Sequence, residues 1–107
     1  MSETISTEER KKTIIAELNQ ETSKMPWSEM QKFFASGATI YVSEEFDLLD
    51  VASDLVMDNK SRIEGLMADQ KMYSVNDEQA TRWLSEDIRV WAVVLAPYIL
   101  VQPVKLS

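Results

Sequence analysis

The sequence predicts an α+β fold: a small sheet of about three strands with about five short helices. Three observations predict it. Several segments carry apolar residues at helical spacing behind residues that cap helices well. Two segments, "ATIYVS" and the run from Val90 to Val101, are rich in β-branched and aromatic residues. Only two glycines and three prolines punctuate the chain, which implies short loops. The whole of 1–107 is expected to form one compact domain, with 1–6 and 103–107 as flexible tails.

The elements follow in order. Ser6 and Glu9 have the spacing of a capping box, in which a serine hydroxyl satisfies the amide three residues on. Behind them, Ile14, Ile15 and Leu18 give a helix with a narrow buried stripe, ending before Pro26. "PWSEMQKFFASG" predicts a second, short helix with Trp27, Met30 and Phe34 on one face and Phe33 beside it. Gly37 suits its C-terminus, where a left-handed residue is favoured. "ATIYVS" is then a strand.

"SEEFDLLDVASDLVMDN" has the clearest helical period, with Leu48, Leu49, Ala52, Leu55 and Val56 on one face and Asp47, Asp50, Asp54 and Asp58 opposite. Ser61 and Glu64 have a second capping-box spacing, opening a helix with Ile63, Leu66 and Met67 inward. "KMYS" is a candidate short strand. Asn76 with Gln79, and Val75 with Ala80, mark the next helix start, and Ala80, Trp83 and Leu84 form its stripe.

The final run is continuously apolar from Val90 to Val101. A strand wet on one face alternates, whereas a strand covered on both reads as an unbroken apolar run. The run therefore belongs in the middle of the sheet. Pro97 has no amide hydrogen, so it should break the ladder, mark a bulge or face an open edge.

Three blocks, "MPWSEMQKFFASGATIYV", "DLLDVASDLVMDN" and "WAVVLAPYILVQ", resemble the bacterial domain of unknown function 2288 family, from about Ile14 to Gln102. In that family pattern a glutamine precedes the proline of the last block; here the position is Ala96. The resemblance implies a small bacterial protein and supplies no activity, cofactor or catalytic residue.

Composition excludes several classes of function. There is no cysteine, hence no disulfide, thiolate nucleophile or thiolate metal site. There is no histidine, the commonest general base and transition-metal ligand. Neither Gly37 nor Gly65 lies in a phosphate-binding loop. The start is polar and unlike a signal peptide, and the apolar run is shorter than the roughly 20 residues of a membrane helix. A cytoplasmic protein without membrane contact is expected. The net charge of −7 disfavours nucleic acid, whose phosphates bind clustered bases, and favours a basic partner.

Two sets of residues are candidate interaction surfaces. From Glu44 to Asp58 there are six acids and no base. Asp47, Asp50, Asp54 and Asp58 form either a docking face or weak divalent-ion site, or a solvated helix face that keeps the protein soluble. Trp27 and Phe33, with Met30 and Phe34, make more apolar surface than one narrow contact needs, as a subunit interface would. Trp83, Trp91 and Tyr98 are expected in the core with their polar atoms at its edge. No catalytic residue, cofactor or metal ligand is identified.

The expected function is that of a non-enzymatic protein-binding or regulatory module, with itself or another protein as partner. The alternative is a carboxylate-based enzyme or small-molecule-binding protein, for which an arginine (Arg82 or Arg89) and an acid should converge beside an aromatic in a concave site.

Overall fold

The computed structural model describes residues 6–104. Helix α1 (Thr7–Glu21) leads into strand β1 (Ser23–Pro26), then a 3₁₀ turn (Trp27–Met30) and helix α2 (Gln31–Ala35). Strand β2 (Thr39–Val42), helices α3 (Leu48–Val56) and α4 (Lys60–Ala68), strand β3 (Met72–Ser74), helix α5 (Asp77–Ser85) and strands β4 (Arg89–Leu95) and β5 (Tyr98–Pro103) follow. The fold is α+β with five α-helices among the described residues, but the sheet has five strands instead of about three, in the order β1-β4-β5-β2-β3. β2 and β5 run parallel and every other neighbouring pair is antiparallel.

The two additional strands have separate causes. β1 is short, polar and carries Pro26, so nothing in its own sequence alternates; pairing with β4, from Ser23 opposite Ala92 to Pro26 opposite Arg89, makes it a strand. Lysine and proline are what sheet edges carry to discourage further pairing, and Lys24 and Pro26 do so here. The C-terminal run is not one central strand. It turns at Ala96–Pro97 and folds back, so β4 and β5 pair from Val90 opposite Pro103 to Leu95 opposite Tyr98. Ser6 caps α1, accepting from the Glu9 amide at 3.1 Å, and the Val104 amide donates to the Arg89 carbonyl at 3.0 Å. Of the tails expected at 1–6 and 103–107, residues 6, 103 and 104 make these contacts, and 1–5 and 105–107 lie outside the described residues.

Local capping chemistry sets most helix ends. Asp47 accepts from the Leu49 amide at 2.9 Å and Asn76 from the Gln79 amide at 2.8 Å. Gly37 adopts φ +80° after α2, and the Ala38 amide closes the turn onto the Phe33 carbonyl. α4 differs from expectation: it begins at Lys60, with no side-chain cap from Asn59, so Ser61 lies inside it.

Strand alternation divides the core in two. Ile40, Val42, Met72, Val93 and Leu100 meet α1, α3 and α4 on one face. Val90, Ala92, Ile99 and Val101 meet Trp27, Met30, Ala80 and Trp83 on the other. β5 is thus covered on both sides at its centre, as the unbroken run implied. β4 is not: Trp91 and Val94 are 37% and 53% exposed. Of the three aromatics expected in the core, Trp83 is buried but Trp91 and Tyr98 are exposed, because they fall where no helix covers the β4–β5 hairpin; Val56, Met67 and Leu84, expected inward, are exposed too. No described helix is long and apolar enough to cross a membrane.

Candidate functional site

Trp27 is at 0% exposure, so it forms core and is no surface. Its indole N–H donates to the Ala80 carbonyl at 3.1 Å, and its ring meets Trp83 edge-on at 5.0 Å between centroids. Met30 is buried and Phe34 half-buried, whereas Phe33 is exposed at 37%, with the Lys32 ammonium 5.5 Å from its ring. The two residues proposed as one surface are therefore separated: one anchors the core, the other faces water.

The aspartates also separate. The buried stripe of α3 is Leu48, Val51, Ala52 and Leu55, rotated by roughly 50° from the expected one at about 100° per residue. Val51 turns inward, Val56 turns outward, and Asp54 is carried to 4% exposure. Asp54 and Asp50 meet two bases from neighbouring helices. Lys11 Nζ lies 2.7 Å from Asp50 Oδ1 and 3.1 Å from Asp54 Oδ2. Arg62 Nη1 lies 2.8 Å from Asp50 Oδ2 and also bonds Asp54. The hydrogen bond from Lys11, opposed by burial and helped by Arg62, holds the Asp50 carboxyl below its ordinary value. This pair of acids is spent on joining α1, α3 and α4. Asp58 falls beyond α3 with φ 57°, and Asp47 is the cap of α3. No continuous carboxylate face exists, and no three acids converge as a metal-ligand set among the described residues.

Among the concave sites of the described residues is one that sequence reasoning did not assemble. A cleft of about 360 Å³ lies between the end of α1, the start of α3 and β4–β5. It is lined by Asn19, Thr22, Asp47, Leu48, Leu49, Trp91 and Gln102. That volume is within the range of small-molecule sites. Register explains its floor: Trp91 pairs with Gln102 and alternates onto the same face as Val93 and Leu100, but beyond the cover of α1 and α3. Gln102 is fixed by donating from Nε2 to the Ser43 and Phe46 carbonyls at 2.9 and 2.8 Å. Those bonds pin the β2–α3 loop, and with it Asp47. On the adjacent edge strand, Lys24 is the register partner of Trp91 and its ammonium sits 5.0 Å from the indole centroid. The available signals were Trp91 within the apolar run and Gln102 just after it; nothing in the sequence joins them to Asn19 or Asp47.

The exposed apolar groups Val56 and Tyr98 lie with Leu95 and Pro97 around another depression, of about 400 Å³, at the β4–β5 turn.

Comparison with known proteins gives a family and no activity. No curated protein matches the chain. The solution structure of PA1075 from Pseudomonas aeruginosa is similar, with TM-score 0.74 and 30% identity, covering 97% of this chain and 100% of that one. The pattern of the family described as protein of unknown function (DUF2288) matches residues 13–103. The chain belongs to the DUF2288 family.

Proposed function

We propose that the protein is a non-enzymatic binding module and that the Trp91 cleft is its binding site. The observation that carries this reading is an exposed indole on the floor of a cleft with an apolar wall (Leu48, Leu49) and a polar rim (Asn19, Thr22, Asp47, Gln102). Such sites hold ligands by burying apolar surface and orient them with a few placed polar groups. Binding is favoured over catalysis because Asp47 is the single ionisable residue lining the cleft among the described residues and already caps α3. Lys24, the other ionisable group near the cleft, sits against the Trp91 ring.

The three tryptophans supply the test. Trp27 and Trp83 are buried and Trp91 is partly exposed, so acrylamide quenching of indole fluorescence reports on Trp91. Compounds that raise the thermal midpoint in a metabolite screen are expected to protect Trp91 from acrylamide, because a native-state ligand stabilises by mass action. Trp91→Ala should abolish both effects. Hits that stabilise the protein yet leave quenching unchanged would place binding elsewhere and defeat the proposal.

A second reading, self-association, is favoured by the apolar groups at the β4–β5 turn. Tyr98 and Val56 are 47% and 46% exposed and line one depression with Leu55, Leu95 and Pro97, and a second copy covering it would bury that apolar surface. Light scattering across concentration tests it: a dimer dispersed by Tyr98→Asp supports it, and a monomer at millimolar concentration refutes it.

A further inference from the structure

Resting on the cleft being the binding site, we infer that its ligand class is a small organic ammonium ion with an apolar body. Three observations point the same way.

The first is charge. Among the described residues the only ionised group lining the cleft is a carboxylate, Asp47, in a chain of net charge −7. Asn19 and Thr22 belong to the C-terminal end of α1, where backbone carbonyls gather partial negative charge, and no base lies in its last turn to offset it.

The second is the hydrogen-bonding character of the rim. Gln102 spends its amide nitrogen on two backbone carbonyls, so its remaining atom is an acceptor oxygen. The Thr22 hydroxyl donates to the Leu18 carbonyl at 2.8 Å, which leaves its lone pairs. Asp47 is an acceptor by nature. Gln102, Thr22 and Asp47 thus offer acceptors, and Asn19 has an amide oxygen to add; a ligand that brings donors matches them, and an ammonium brings up to three and accepts none.

The third is that the indole already holds an ammonium. Lys24 reaches across from the edge strand and places Nζ 5.0 Å from the Trp91 ring centroid, within the range of cation–π attraction. Lys24 is exposed and free of ion pairs among the described residues, so the ring is what holds it. A ligand ammonium would find the same quadrupole with Asp47 across the cleft, and Lys24 would be its competitor.

The test uses three probes of one shape at pH 7: hexylammonium, hexanoate and 1-hexanol, followed by the Trp91 indole N–H resonance and by acrylamide quenching. Hexylammonium is expected to shift Trp91 at a concentration roughly tenfold lower than either of the others. Asp47→Asn keeps a helix cap, since asparagine caps as well as aspartate, and should remove most of that preference with circular dichroism unchanged. Lys24→Met should strengthen hexylammonium binding severalfold by removing the internal competitor. Hexanoate or hexanol binding as tightly as hexylammonium would overturn the inference and leave the cleft as a binding site. Weaker hexylammonium binding by Lys24→Met would also overturn it. A lysine-rich peptide shifting Trp91 where hexylammonium does not would replace a small ligand by a protein one. No response of Trp91 to any probe would remove the site itself.

Discussion

Lys11 Nζ lies 3.1 Å from each carboxylate oxygen of Asp54, a residue 43 positions further along the chain. Asp54 is nearly buried, whereas Lys11 and Arg62 keep 25% and 29% of their side-chain surface in water. Asp54→Ala leaves Asp50 alone against both bases. It is expected to cost about 1–3 kcal/mol, less than for a fully buried pair because both cations can rehydrate. Urea unfolding measures this, and an unchanged midpoint would mean the network contributes nothing net.

The same network sets the pH dependence. Asp50 is held below its ordinary 3.8, chiefly by the Lys11 hydrogen bond. Burial alone would lower Lys11, but its bonds to Asp50 and Asp54 outweigh it and hold the amine above 10.5. A depressed acid stabilises above its unfolded pKa and loses that contribution as pH falls through its folded one. A raised base stabilises below its unfolded pKa and loses it as pH rises through its folded one. With no histidine, the thermal midpoint should be flat from about pH 5 to about pH 9 and fall on either side. A step near pH 6–7 in a thermal melt series would contradict this.

Gly37→Ala isolates backbone conformation. Its φ of +80° disfavours any side chain, while an added Cβ would meet nothing within 4 Å. The expected loss is about 1 kcal/mol. No loss would mean that the turn adapts without cost.

Gln102→Leu removes both donors that hold the Ser43 and Phe46 carbonyls. A stability loss of about 1–3 kcal/mol is expected. Amide hydrogen exchange from Ser43 to Asp47 should speed up as the loop is released. Unchanged protection in that loop would show that Gln102 does not fix the cleft wall.

Phe33→Asp should change stability by about 1 kcal/mol or less, because the ring already faces water at 37% exposure. Trp27→Ala, in the 3₁₀ turn that precedes α2, should cost about 3–5 kcal/mol. Similar losses from both in the same denaturant series would mean Phe33 is as much core as Trp27.

Ser6, Asn76, Gly37 and Asp47 act within a few residues of themselves, through a capping oxygen or a left-handed turn. Such signals are complete in the local sequence, and so were the helices and β2. The unbroken apolar run also announced central strands, since covering both faces demands apolar residues at consecutive positions.

Long-range pairing decided the rest. Ser23–Pro26 becomes a strand because β4 supplies a partner, and the run of Val90 to Val101 becomes two strands by turning at Ala96–Pro97. Apolar period alone left α3 free to rotate, and its neighbours selected the orientation that buries Val51 and brings Asp54 to Lys11 and Arg62. The cleft is the furthest from legible, because Asn19, Asp47, Trp91 and Gln102 come from separate elements. Capping and periodicity are short-range properties of a chain, whereas a cleft exists only once the sheet register sets which residues its helices leave uncovered.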